Sequence, residues 1–355
     1  MKHIKKISLG LLSVIVISVS GLSFLFRNEI KTINSIEKID DYGLYSMNYY
    51  SDYGLDKLIE QGGVSSDDEL IAFNVQNILK GIPVNFDVPD FGCATFQAQT
   101  PEGDWLFGRN YDLDYVPSMI VNSSPENGYR SVSIANMAVL GYDEENRPTN
   151  FANSFMNLAN PYLPMDGMNE KGLSIGVLLI RDDITSQNTD KLNMTTSSMI
   201  RYVLDKAKDV EEAIALFENT DMHSSAGASY HFQMADASGN SAIIEYVDSN
   251  LSVIRKGEGK PMALTNFIVS DENYNFGSGQ DRYETIVNTL DETNSIVSEK
   301  EAMDILESVS VKEYDIETDE GSDTQWSVIY NNTDLTFDIS VGGNFDKVYS
   351  YSPFE

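Results

Sequence analysis

The chain has 355 residues, 41% of them hydrophobic and 10% aromatic, which is enough for one large domain or two ordinary ones with a substantial core. It carries 55 Asp and Glu against 24 Lys and Arg, a net charge of −31. Such a surface repels nucleic-acid phosphates and anionic lipid headgroups, so we expect no nucleic-acid partner.

The N-terminus has the pattern of an export signal. Four basic residues within the first six precede an uncharged apolar run over residues 7–26. This run of 20 residues is close to the ~20 needed to span a bilayer, and no convincing small-residue cleavage site follows it. We therefore predict a signal peptide or uncleaved signal-anchor in residues 1–30. It attaches the protein to the plasma membrane through residues 7–26 and places the rest outside, at the cell surface.

Residues 31–92 are predicted to form a stalk followed by a helical pro-segment. Residues 27–43 are polar, as in a stalk, and from about 44 to 80 apolar residues recur near helical spacing. The sequence Ser-Asp-Asp-Glu at 66–69 is a capping box that begins a helix. Gly81, followed closely by a proline, ends it.

After residue 92 the pattern changes to short strands and turns. Residues 94–98 and 105–108 flank a turn and predict a hairpin, and residues 230–235 and 241–247 predict another. The apolar run at 173–180 predicts a strand covered on both faces. Late strands are predicted at 325–330 and 335–341, and helices at 196–207, 209–219, 281–290 and 299–308. This order indicates an α+β fold of packed sheets with helices outside.

Cys93 is the only cysteine, so its thiol is either inert and buried or reactive and used in the protein's chemistry. Histidine is the usual partner of a cysteine nucleophile, and beyond the export signal only His223 and His231 are present. His231 alternates with apolar residues in a predicted strand, which favours packing, and His223 lies in a polar stretch with no evident role. A Cys-His acyltransferase therefore stays open, with weak support.

Cleavage between Gly92 and Cys93 would provide a different base. It frees the α-amino group of the cysteine, whose reference pKa of about 7.7–8.0 suits proton exchange with a thiol near neutral pH. Such an amine needs a carboxylate to orient it, and the thiolate needs a cation. The first predicted hairpin returns Asp112 and Arg109 beside Cys93 for these roles. A surface ion pair at a strand end is the competing interpretation of the two residues.

Five segments follow one another in the order of a known family. They are Cys93 with GRNYD at 108–112, NEKGL at 169–173, LTN at 264–266, SGQDRY at 278–283 and TQWSVIYN at 324–331. Together they resemble the choloylglycine hydrolase group of N-terminal-nucleophile hydrolases, over about residues 93–350. This group includes bile salt hydrolases, penicillin V acylases, N-acylethanolamine acid amidases and acid ceramidases.

The resemblance implies a four-layer αββα sandwich, in which two antiparallel sheets lie between helix layers. It also implies roles for the site residues. Cys93 would attack an amide carbonyl with its α-amine as base, supported by Arg109 and Asp112. Asn266 would donate a hydrogen bond to the oxyanion, and Arg282 would complete the polar network. No metal or organic cofactor is implied.

Two departures from the family pattern matter. Leu179 stands where bile salt and penicillin enzymes carry a polar or aromatic residue, which implies a greasier substrate-binding site. In addition, 92 residues precede Cys93, as in the amidase and ceramidase branch, where this part is an autocleaved pro-segment. We therefore predict a catalytic domain of residues 93–355, with the residues before it outside the domain's own fold.

These observations favour an exported N-terminal-cysteine amidohydrolase that matures at Gly92–Cys93. Its expected partner is a small-molecule linear amide with a hydrophobic acyl chain, and a homo-oligomer is left open. A bile salt hydrolase or a penicillin V acylase is the alternative activity. A non-catalytic, envelope-anchored binding domain on the same fold is the alternative without chemistry.

Overall fold

A computed structural model of the chain describes residues 26–79, 81, 92–150, 153–180, 184–270, 277–312 and 322–355. No helix within these ranges is long and apolar enough to cross a membrane. The predicted signal-anchor at residues 7–26 lies, apart from Phe26, outside the described residues.

The described residues form two large sheets, two two-stranded sheets and a set of short helices. The strands, in chain order, are β1 Glu37–Lys38, β2 Leu44–Tyr49, β3 Gly92–Gln99, β4 Trp105–Leu113, β5 Ser118–Ser123, β6 Ser131–Asn136, β7 Pro164–Asn169, β8 Ser174–Ile180, β9 Leu192–Thr195, β10 Thr220–His223, β11 Ser229–Ala235, β12 Ser241–Val247, β13 Asn250–Arg255, β14 Met262–Leu264, β15 Asn266–Phe267, β16 Gly277–Ser278, β17 Asp323–Asn331, β18 Thr336–Val341 and β19 Tyr349–Tyr351. The α-helices are α1 Arg27–Asn34, α2 Leu55–Glu60, α3 Asp67–Asn77, α4 Thr196–Lys206, α5 Val210–Glu218, α6 Gln280–Glu292 and α7 Glu299–Ser308, and 3-10 helices cover Met137–Leu140 and Ser154–Tyr162. The two-stranded sheets pair β9 with β10 and β15 with β16.

The two large sheets pack face to face between helices. One has nine strands in the order β1-β2-β5-β6-β7-β8-β11-β12-β13, and the other has six in the order β14-β3-β4-β17-β18-β19. Helix α4 packs on β7 and β8 of the first sheet, while α6 and α7 pack on β3, β4, β14 and β17 of the second. The layers therefore run helix, sheet, sheet, helix, and the packed faces of both sheets exclude water.

The predicted strands and helices after residue 92 are confirmed, with small shifts in their ends. The first hairpin is β3–β4, in which Cys93 lies opposite Tyr111. The second is β11–β12. The apolar run at 173–180 is β8, which lies in the interior of the nine-stranded sheet and is fully buried. Such a position, covered on both faces, explains its near-continuous apolar sequence.

The helix predicted from about residue 44 is wrong over Leu44–Tyr49, which forms β2. Residues 45, 47 and 49 are buried and Asn48 is exposed, an alternation that fits a strand. Strand β2 pairs in parallel with β5, inside the nine-stranded sheet. The expectation that residues before Cys93 stand outside the main fold is therefore wrong for this strand.

Other parts of the N-terminal region also pack on the main fold. Helix α1 occupies part of the predicted stalk, and its Thr32 is fully buried. Helix α3 begins at the predicted cap, where Ser66 Oγ accepts the Glu69 N–H at 3.3 Å. The carboxylate of Glu69 reaches one residue further back than predicted, to the N–H of Ser65 at 2.7 Å.

Candidate active site

The β3–β4 hairpin fixes the first members of the site through its register. Thr95 pairs with Arg109, Cys93 with Tyr111 and Gly92 with Asp112. Because side chains alternate along a strand, Cys93 and Arg109 point to the facing sheet, while Asp112 points to the helix layer. One hairpin thus supplies a thiol and a cation to one face and a carboxylate to the other.

The thiol of Cys93 lies against a guanidinium inside the sandwich. Its Sγ is 3.3 Å from Arg109 Nη2 and 3.7 Å from the carbonyl oxygen of Val177 on β8. The residue is fully buried. Burial raises the pKa of the Cys93 thiol to about 12, although the charge of Arg109 opposes this. In the uncut chain the thiol is therefore protonated at neutral pH.

A buried carboxylate holds Arg109 in place. Arg109 Nε is 2.8 Å from Asp166 Oδ2 on β7, and Nη1 donates to Val177 O at 2.7 Å. Asp166 in turn accepts hydrogen bonds from Trp326 Nε1 and the Tyr330 hydroxyl. Burial raises the pKa of Asp166, and the Arg109 charge works against that rise. Arg109, on the six-stranded sheet, is thus held by groups of the nine-stranded sheet.

A glycine on β8 makes room for that cation. A Cβ atom at Gly176 would lie 2.9 Å from Arg109 Nη1. Any larger residue at this position would displace the guanidinium from the thiol.

The backbone nitrogen of Cys93 has its own partner. Its N–H donates to Asn266 Oδ1 at 2.8 Å, although the two residues are 173 positions apart. Asn266 Nδ2 donates to the carbonyl oxygen of Leu179 at 2.8 Å. Strand β15 therefore brings an amide group to the bond between Gly92 and Cys93.

The carboxylate of Asp112 also lies beside this bond. A Cβ atom at Gly92 would be 3.4 Å from Asp112 Oδ2. Asp112 Oδ1 accepts from Thr324 Oγ1 at 2.6 Å, and Oδ2 forms an ion pair with Arg282 Nη1 at 2.7 Å. Arg282 is fixed from α6 by donating Nε to the Val309 carbonyl at 2.8 Å.

The structure brings together the five residues that the sequence singles out for catalysis: Cys93, Arg109, Asp112, Asn266 and Arg282. Leu179 joins them through its carbonyl oxygen, and its side chain is buried in the core. Sequence reasoning gave no role to Asp166, Thr324 or Val177. Thr324 begins one of the segments quoted for the family resemblance and Asp166 lies three residues before another, which was the available signal.

Neither described histidine bonds to the thiol. His231 is fully buried and its Nδ1 is 3.1 Å from Glu245 Oε1, in agreement with the packing role predicted for it. His223 ends β10 and contacts Asn193 Oδ1 through Nε2 at 2.9 Å. Among the described residues, moreover, no group of three or more His, Cys, Asp or Glu side chains is arranged to hold a metal ion.

We expect Asp166→Asn to destabilise the protein by about 3–5 kcal/mol, because it leaves the Arg109 charge buried without its carboxylate. Urea unfolding followed by tryptophan fluorescence measures the loss. Glu170→Gln is the matched control, since its ion pair with Arg130 is partly exposed and is worth about 1 kcal/mol or less. Equal losses in the two variants would contradict the assignment of Asp166 as the partner that holds Arg109.

The sandwich and its buried cysteine define a class of protein. The fold is similar to that of a variant of the conjugated bile acid hydrolase from Clostridium perfringens, with a TM-score of 0.55 and 17% sequence identity. This similarity covers 73% of this chain and 92% of that one. The chain thus has a mixed α/β fold of the N-terminal-nucleophile hydrolase type.

Residues 93–276 match the family model of linear amide C-N hydrolases, choloylglycine hydrolase family. The chain belongs to this family. It is 26% identical over 185 residues to a bile salt hydrolase/transferase of Clostridium perfringens, over 49% of this chain and 53% of the relative. It is also 32% identical over 94 residues to a penicillin V acylase of Pectobacterium atrosepticum, over 23% and 25% of the two chains. The match thus spans about half the length of the first relative and a quarter of the second.

Proposed function

We propose that this protein is an exported amidohydrolase that cleaves linear amides with hydrophobic acyl chains after the chain is cut between Gly92 and Cys93. The observation that carries the proposal is the surroundings of the Cys93 nitrogen. It donates to Asn266 Oδ1 at 2.8 Å, and Asp112 Oδ2 lies beside Gly92. Polar groups thus surround the backbone nitrogen of Cys93. This arrangement is useful for catalysis only once that nitrogen is a free amine.

In the proposed mechanism the α-amine of Cys93 takes the thiol proton, and Arg109 stabilises the thiolate. The sulfur attacks the amide carbon, and the oxyanion accepts a hydrogen bond from the second N–H of the Asn266 amide, whose first N–H is on Leu179 O. The C–N bond breaks as the ammonium returns its proton to the leaving amine. Water then hydrolyses the thioester and releases the carboxylic acid. Asp112, fixed by Arg282, orients the amine.

Apart from the water that hydrolyses the thioester, these steps use only groups of the chain and of the substrate. The thiol supplies the nucleophile, the amine the base and the side-chain amide the oxyanion donor. We therefore propose no metal or organic cofactor. The hydrophobic acyl preference rests on Leu179 and is part of the proposal. Export and membrane attachment rest on the apolar run at residues 7–26.

The division of the chain follows from the proposed cut. Residues 1–30 would be signal peptide or anchor, 31–92 the pro-segment and 93–355 the catalytic domain. We propose that the pro-segment stays bound after cleavage, because β2 lies between β1 and β5 in the nine-stranded sheet. Removing it would expose unpaired β5 backbone groups and the buried faces of Tyr45 and Tyr49.

Intact mass spectrometry of the purified, ripened protein tests this proposal together with a substrate panel. We expect a fragment that begins at Cys93. We also expect release of the free acid from long-chain N-acyl amino acids or N-acyl amines, followed by liquid chromatography. Faster hydrolysis of a glycine-conjugated bile salt or of penicillin V would assign the alternative activities. A fully active but uncut chain would refute the mechanism, and a cut chain inactive on every amide would favour a binding domain.

A further inference from the structure

Asn266 is held by a very short piece of sheet. Strand β15 has two residues, and Asn266 and Phe267 pair only with Ser278 and Gly277 of β16. The Asn266 side chain nevertheless has to hold one oxygen on the Cys93 nitrogen and one N–H on Leu179 O. A two-residue ladder alone is a weak support for such an amide, so the chain that follows it matters.

A buried carboxylate binds the backbone of the segment that follows β15. Glu245, fully buried on β12, accepts the backbone N–H of Val269 on Oε1 at 3.0 Å and that of Ser270 on Oε2 at 2.9 Å. Although burial raises the pKa of Glu245, the hydrogen bonds from His231 and from the Val269 backbone N–H help to lower it below its usual value. Glu245 is therefore an anion that clamps two consecutive amides, three and four residues after Asn266.

His231 orients this carboxylate. Its Nδ1 lies 3.1 Å from Glu245 Oε1, and because an ionised carboxylate only accepts hydrogen bonds, Nδ1 must carry the proton. His231 is fully buried, and its Nε2 has no hydrogen-bond partner among the described residues. The ring therefore acts through Nδ1 alone.

The same histidine also adjoins the strand that receives the Asn266 amide. In the β11–β8 ladder His231 lies opposite Leu178, next to the Leu179 carbonyl that accepts from Asn266 Nδ2. The pair of His231 and Glu245 thus ties together β8, β11, β12 and the chain after β15.

We propose that the buried His231–Glu245 pair positions the Asn266 amide, so that both are positioning residues for the oxyanion donor. The inference rests on the proposed function, because Asn266 matters catalytically only if the protein is an amidohydrolase. It gives His231 a role in the reaction without contact with the thiol.

Glu245→Gln tests the proposal with little change of volume. The amide can accept only one of the two backbone N–H groups and turns its own NH₂ toward the other. We expect kcat to fall about 10-fold with KM changed less than 2-fold. A displaced donor weakens its hydrogen bond to the oxyanion, and that bond forms mainly in the transition state. Glu211→Gln, which removes an exposed ion pair with Arg255 on the neighbouring edge strand, should leave both constants unchanged.

Substitutions of His231 provide a second measurement should Glu245→Gln fold poorly. His231→Asn keeps a donor near the Nδ1 position and should retain most of kcat, whereas His231→Leu should lose as much as Glu245→Gln. An unchanged kcat in both Glu245→Gln and His231→Leu, or a rise in KM alone, would overturn the proposal.

A spectroscopic readout separates this proposal from the proposed function. The side-chain amide signals of Asn266 in a ¹⁵N correlation spectrum, assigned with Asn266→Asp, should shift in Glu245→Gln and stay in place in Glu211→Gln. This result is independent of turnover. If the wild-type protein hydrolyses no amide, the proposed function fails while the shift still tests the positioning. If the signals do not move, the positioning fails even in an active enzyme.

Discussion

Cys93→Ala is expected to yield a full-length, uncut chain without amidase activity. The substitution removes the proposed nucleophile of both proposed reactions, the cut at Gly92–Cys93 and the attack on substrate. A loss of at least about 10⁴-fold in kcat is the scale seen when other hydrolases lose their nucleophile. Intact mass and release of the free acid are the two measurements.

The control for this experiment is a comparison of melting temperatures, which shows whether the variant keeps the fold. Alanine removes only Sγ, whose hydrogen-bond partners among the described residues are Arg109 Nη2 and Val177 O. The melting temperature should therefore stay within a few degrees of that of an uncut wild-type sample. Cys93→Ser is the informative companion, because its hydroxyl keeps a weaker nucleophile in place. Normal cutting of the alanine variant would show that another protease, and not the thiol, matures the chain.

Tyr53→Ala is expected to cost about 3–5 kcal/mol of stability and to release the pro-segment from the cut protein. Tyr53 is almost fully buried, and its hydroxyl donates to Asp205 Oδ2 at 2.7 Å. Asp205 is itself paired with the buried Arg201 at 2.6 Å. The substitution therefore removes a packed ring and leaves a buried carboxylate short of one donor.

Tyr50→Ala is the matched control for that prediction. Tyr50 lies three residues away on the same segment and is 41% exposed. Its loss should cost about 1 kcal/mol or less. Urea unfolding gives the two free energies, and size-exclusion chromatography of the cut protein reports whether the fragments elute together. Equal effects of the two substitutions would contradict the anchoring role of Tyr53.

The parts of the site that the sequence predicts best are those fixed by local structure. A hairpin with a short turn has one favoured register, so the return of Arg109 and Asp112 beside Cys93 can be foreseen from spacing. Asn266 and Arg282 lie far along the chain, and only the resemblance to a family pointed to them. No local pattern indicates that β15 meets the start of β3.

The residues that sequence reasoning missed act between strands that lie far apart in the chain. Asp166 reaches Arg109 from the opposite sheet, and Thr324 reaches Asp112 from the next strand. The first contact depends on how two sheet faces pack and the second on which strands pair, and periodicity encodes neither. Strand β2 was missed for a different reason. The tyrosines at 45 and 49 in this strand and at 53 just after it recur every four residues and suggest a helix, yet the sheet partner β5 determines the outcome.

The parallel pairing of β2 with β5 changes what stability means for this protein. In the precursor the two strands belong to one chain, so folding is a first-order event. After a cut at Gly92–Cys93 the same ladder would join two chains, and the mature enzyme would become a complex whose unfolding depends on dilution. Strand β2 would thus pair with β5 while both belong to one chain, before the cut. After denaturation of the cut protein, the two fragments would have to meet again by diffusion.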